Sequence, residues 1–158
     1  MSARASRPRR AASATNGALA LSVWVRLLKA HGLAVRQVRR LVPEGLTLPQ
    51  FDVLAQLHRR ADGMTPGELT RALLVTAGNV TGIVGRVVAM DLAERHPVPE
   101  DRRTVRILLT PRGRRLMRRA IPRHRRDLGA LLSAVAPADL ARLRELLGRL
   151  DRALEARP

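Results

Sequence analysis

Apolar residues recur along most of this chain at three- and four-residue steps, interrupted once by a strand-like run, and that pattern predicts six helices and one hairpin. A first helix is expected over about residues 18–41, with Leu21, Val25, Leu28 and Val35 on one face and Pro43-Glu44-Gly45 ending it. A second is expected over about 48–60: Thr47 and Gln50 have capping-box spacing, Phe51, Leu54 and Leu57 form the buried stripe, and Asp62-Gly63 stops it. A short third helix, about 66–73, has Thr65 as N-cap, Pro66 at the first turn, Glu68 completing a second box, and Leu69 and Leu73 inward. A fourth, about 77–90, is capped by Thr76 and buries Val80, Ile83, Val84, Val87 and Val88. The hairpin is expected over about 93–109, Thr104 to Leu109 being its second strand, and Thr110-Pro111 opens a fifth helix running to about 132. Leu116, Met117, Ala120, Ile121, His124, Leu128 and Leu131 share one side of it, with Pro122 as a kink site and His124 read as a satisfied core histidine. A sixth helix, about 137–155, carries Leu140, Leu143, Leu147, Leu150 and Leu154 as a stripe too apolar to leave in water, which marks it for self-association.

A short helix, a turn, a second helix and then a basic hairpin make a winged helix–turn–helix, in a chain that is otherwise mainly α (α+β). In such a motif the second helix lies in the major groove with its early residues on base edges. That assigns DNA reading to Thr76, Asn79, Thr81, Gly82 and Arg86. Asn suits adenine edges, and Thr offers a hydroxyl or a methyl. These side chains are short, which leaves part of the readout to DNA shape. Gly82 and Gly85 each cost about 1 kcal/mol relative to Ala in a helix, a cost that packing or close backbone approach would offset. In the wing, Arg102 and Arg103 fall where the hairpin tip should be and suit a narrow minor groove. Asp101 has two readings: it orients an arginine through a bidentate pair, Arg95 being the candidate, or it caps the turn.

Charge supports this. The formal net charge is +17, and residues 95–126 hold twelve Arg against two acids, whereas residues 47–94 hold four Arg against five acids. A focused basic segment is the footprint expected for a polyanion partner, here double-stranded DNA. One Phe, one Trp and no Tyr leave Leu, Val and Ala to build the core, and the absence of Cys excludes disulfides and thiolate sites. The four His lie apart, without ligand spacing, and no nucleophile–base set is evident, so neither metal, cofactor nor enzyme activity is expected. No uninterrupted apolar run reaches about 18 residues, so no membrane span is expected.

The motifs LTLPQFDVLAQL at 46–57, PGELTRALLVTAGNVTGIVGRVV at 66–88 and DRRTVRILLTPRG at 101–113 resemble the MarR family of bacterial winged helix–turn–helix regulators, over about residues 18–155. The resemblance implies a cytoplasmic, nucleoid-associated homodimer that binds pseudo-palindromic DNA, often represses transcription, and releases DNA on binding a small aromatic or lipophilic effector. It also implies a pocket between the dimer region and the DNA-binding lobe, whose lining residues remain unknown here. Asp91 stands where the family usually has Gly, which implies a strained helix end. The expected division is a disordered basic tail at 1–16, helix 1 for dimerisation at 17–46, the DNA-binding lobe at 47–112, and helices 5 and 6 for dimerisation at 113–158. The alternative is a DNA-architectural protein of low sequence specificity with no effector.

Overall fold

The computed structural model describes residues 7–73, 76–98 and 101–156, with side chains from residue 16 onward and, in the second strand, from Thr104. The chain divides into two units, residues 1–42 and 43–158.

The first unit is helix α1, Arg7–Val38, followed by a 3-10 turn at Arg39–Leu41. The helix starts well before residue 18, so residues 7–16, expected to be a disordered arm, have helical backbone. None of its described side chains is buried: Leu21 is 64% exposed, Trp24 54% and Leu28 52%. Contrary to the sequence expectation, Asn16–Leu41 is long and apolar enough, by length and composition, to cross a membrane. Arg26 and Lys29 break the apolar run without making the stretch polar overall.

The second unit contains α2 (Leu48–His58), α3 (Pro66–Leu73), α4 (Ala77–Ala89), strands β1 (Ala93–Val98) and β2 (Asp101–Leu109), α5 (Pro111–Leu131) and α6 (Pro137–Glu155). Local signals set the helix starts. Thr47 and Gln50 close a capping box at α2. At α3 the Thr65 backbone N–H donates to Glu68 Oε2 at 2.7 Å and the Glu68 N–H donates to Thr65 Oγ1 at 3.2 Å. The first of these bonds holds the Glu68 carboxyl below its usual range. α5 continues as one helix through Pro122.

Among the described residues, the core lies within this lobe. Phe51, Val53, Leu54 and Leu57 of α2 pack with Leu69 of α3, with Val80, Ile83, Val84 and Val87 of α4, and with Met117 and Ala120 of α5. The antiparallel strands close it with Leu92, Ala93, Ile107 and Leu109. Met64, between α2 and α3, forms a bridge to Ile107 through bonds of 3.0 and 2.8 Å, adding a short third edge that the pattern did not reveal. α6, by contrast, buries no residue; Leu143 is 48% exposed and Leu147 37%.

Candidate nucleic-acid interface

Helix α4 offers two unlike faces. Val80, Ile83, Val84 and Val87 are buried, whereas Thr76, Asn79, Thr81, Gly82 and Arg86 are exposed. The structure thus places the five predicted reading residues away from the core. Thr76 is the N-cap and its Oγ1 accepts from the Asn79 N–H at 3.4 Å, leaving the hydroxyl proton available outward. Thr81 Oγ1 donates to the Ala77 carbonyl at 3.1 Å. Its proton is therefore used, and it presents a methyl and an acceptor. A Cβ added at Gly78, Gly82 or Gly85 would meet nothing within 4 Å. Packing within the chain thus does not explain these glycines; they leave the face low enough for another body to approach the backbone.

The wing stands beside this helix. Arg95 is exposed on β1. The register sets Arg95 opposite Ile107 and Asp101 opposite Val98, so the expected Arg95–Asp101 juxtaposition is not a cross-strand pair. The partner of the β1 ladder jumps from Val105 to Asp101 between Pro97 and Val98, skipping residues 102–104. Pro97 has no N–H to donate, a sufficient cause for the ladder to break there. The side chains of Asp101, Arg102 and Arg103 lie outside the described residues.

Two features that fix the wing escaped the sequence. Arg106 of β2 grips the α2–α3 turn, donating from Nε to the Asp62 carbonyl at 2.8 Å, and from Nη2 to Asp62 Oδ2 at 2.9 Å and the Gly63 carbonyl at 2.8 Å. At the other end, the three carbonyls that follow α4 are all taken by the start of α5 and the residue before it. Arg112 Nη1 donates to Met90 at 2.8 Å, Thr110 Oγ1 to Asp91 at 2.8 Å, and the Thr110 N–H to Leu92 at 3.2 Å. The end of the recognition helix is thereby fastened to α5. Asp91, at the joint itself, has φ 55°, the left-handed conformation expected there.

A polar pair lies between α2 and α5. The His124 ring centroid is 4.7 Å from that of Phe51, but its Nδ1 is buried without a hydrogen-bond partner, so it is not the satisfied core histidine the sequence suggested. Burial pushes the Asp52 carboxyl above its usual range, and the His124 charge opposes that shift only in part.

A reading helix with an outward polar face, and beside it a two-stranded wing anchored at its base, is the arrangement the comparisons also identify. The family model described as MarR family matches residues 44–104. The regulator PecS of Dickeya dadantii is 32% identical over 111 residues, covering 69% of this chain and 67% of that protein. The multiple antibiotic resistance protein MarR of Salmonella typhimurium is 35% identical over 111 residues, covering 70% and 76%. The chain belongs to the MarR family. Among solved structures, a MarR-family regulator from Silicibacter pomeroyi superposes with a TM-score of 0.74 at 30% identity, covering 88% of this chain and 97% of that one. Bordetella bronchiseptica BpsR superposes with a TM-score of 0.74 at 26% identity, covering 82% and 92%. The protein is therefore a MarR-family transcriptional regulator, a DNA-binding winged helix, and its relatives are regulators rather than enzymes.

Proposed function

We propose that the protein is a ligand-responsive repressor that acts as a homodimer on a pseudo-palindromic operator in the bacterial cytoplasm. The observation that carries this is the low, polar, outward face of α4 beside the wing. Thr76, Asn79, Thr81, Gly82 and Arg86 read the major groove, while Arg95, Arg102 and Arg103 hold flanking backbone or minor groove and Asp101 shapes the wing turn. Dimerisation is supported by what the single chain leaves uncovered, the apolar faces of α1 and of α6 with Leu140, Leu143, Leu147, Leu150 and Leu154. The effector is a small aromatic or lipophilic compound. BpsR is described as regulated in DNA binding by 6-hydroxynicotinic acid, an aromatic acid, which supports that class. Release of DNA follows only if the effector prefers the DNA-incompetent dimer. The fastening of α4 to α5 through Thr110 and Arg112 gives a route by which a shift of α5 moves the reading helix.

Selection of bound sites from a random-sequence duplex library tests this. The expected product is a palindrome with half-sites one helical turn, about 34 Å, apart. Binding to it should exceed binding to random DNA by about a thousandfold or more. A ratio near one would replace this reading with the architectural one. An aromatic-acid effector should raise the melting temperature and release the selected duplex together.

A further inference from the structure

A hydrogen bond inside α4 decides what Thr81 can offer to DNA. Its Oγ1 donates to the Ala77 carbonyl at 3.1 Å, one turn back along the helix. The oxygen is thereby turned onto its own helix, and a base-edge acceptor such as guanine O6 or thymine O4 finds no proton there. The other branch at Cβ is a methyl, and the residue is exposed. Thr76 differs, because its Oγ1 accepts from the Asn79 N–H and keeps its own proton.

The helical period sets where this methyl stands. At about 100° per residue, buried Val80, Ile83, Val84 and Val87 span about 100° of α4, and Gly78, Gly82 and Gly85 span about 60° opposite them. Thr81 borders that low strip on one side, with Ala77 one turn before it; Asn79 and Arg86 border it on the other. A methyl held this close to the helix axis meets a base edge only when the helix backbone comes near the groove floor. The three glycines permit that approach, and nothing in the chain's own packing requires them, since an added Cβ at each would meet nothing within 4 Å.

We propose that Thr81 selects a thymine in each half-site by seating its own methyl on the thymine 5-methyl group. The proposal rests on α4 being the reading helix. The 5-methyl is the apolar feature that a T·A pair exposes in the major groove, and Thr and Ala recognise it by apolar contact. Ala77, on the same side of the helix, extends that contact. A direct bond from the Thr81 hydroxyl to a base is the competing contact, and it requires the bond to Ala77 to be given up. 5-Methylcytosine carries the same group, but unmodified duplex offers it only as thymine.

Selection from an unmodified random-sequence library supplies the half-site. Each of its thymines is then replaced in turn by deoxyuridine, which lacks only the 5-methyl. At one thymine the replacement weakens binding about fourfold in one half-site and about tenfold or more in both. Thr81→Ser, which keeps the hydroxyl and removes the methyl, binds the thymine and deoxyuridine duplexes alike. Thr81→Val, which keeps the methyl and removes the hydroxyl, still prefers thymine. With cytosine at that place, 5-methylation strengthens binding by the unmutated protein and not by the Ser variant. The proposal is overturned if no thymine is sensitive to deoxyuridine, if the Ser variant keeps the preference, if the Val variant loses it, or if 5-methylation of the cytosine brings no gain. Asn79→Ala with Arg86→Ala tells its failure from that of the operator reading. Loss of the selected duplex in that variant, beside Thr81 variants with unchanged thymine preference, overturns the methyl contact alone. No loss overturns α4 as the reading helix, and the contact with it.

Discussion

Gly113 occupies a place where a methyl group has no room. A Cβ there would lie 2.0 Å from the Leu92 carbonyl oxygen and 3.3 Å from Leu109 Cδ2, and the first of these is backbone that cannot swing aside. Gly113→Ala should therefore destabilise the lobe by about 1–3 kcal/mol, read from the urea midpoint, although Ala is the better helix former. An unchanged midpoint would show that the α4–β1 joint yields more easily than its hydrogen bonds suggest. Asp52 gives a prediction of opposite sign. Its folded carboxyl titrates above the unfolded 3.8 because burial disfavours the charged form. The stability this contributes is present below the unfolded value and is lost as pH rises through the raised folded one. At neutral pH the ionised group is a burden. Asp52→Asn should raise the melting temperature at pH 7, by a margin that closes as pH falls toward 3.8. A margin that does not depend on pH would remove burial as the cause.

Among the elements, the helix starts were legible because each is written within four residues: Thr47 with Gln50, Thr65 with Glu68, Thr76 with Asn79, Thr110 with Gly113. The third sheet edge and the Arg106 grip were not. Met64 meets Ile107, and Arg106 meets Asp62, across stretches of chain that leave no period in the sequence. The wing register was hidden for a similar reason, since one proline in β1 shifts the partner on β2. The reading face of α4 yields a prediction in two parts. Gly82→Ala should raise stability by up to about 1 kcal/mol, because nothing near its Cβ resists it, while weakening operator binding by holding the duplex away from the backbone. Stabilised protein with undiminished DNA affinity would show that Gly82 stands clear of the duplex. For the wing, Arg102→Ala with Arg103→Ala should lower the salt dependence of binding by about one unit of slope for each phosphate no longer neutralised. An unchanged slope would remove these two residues from the interface.

For the whole molecule, the division of labour was visible in the stripes, but not what covers them. A 3.6-residue repeat identifies a helix that needs a partner; it does not say whether the partner is the same chain. The structure separates the two cases. The stripes of α2 and α4 are buried within the lobe, while Leu143 and Leu147 of α6 remain 48% and 37% exposed. Leu143→Asp with Leu147→Asp should therefore leave a folded monomer and weaken self-association about a hundredfold or more, read by sedimentation. Loss of the folded lobe itself would place the stripe inside one chain. Asp91 carries a consequence of another kind. At φ 55° it occupies a conformation that glycine adopts without the Cβ penalty of about 1 kcal/mol, and it links the reading helix to the first strand of the wing. In the genetic code Asp and Gly codons differ by one base. A version of this regulator relieved of that penalty thus lies a single nucleotide change away, at a residue that joins its reading helix to its wing.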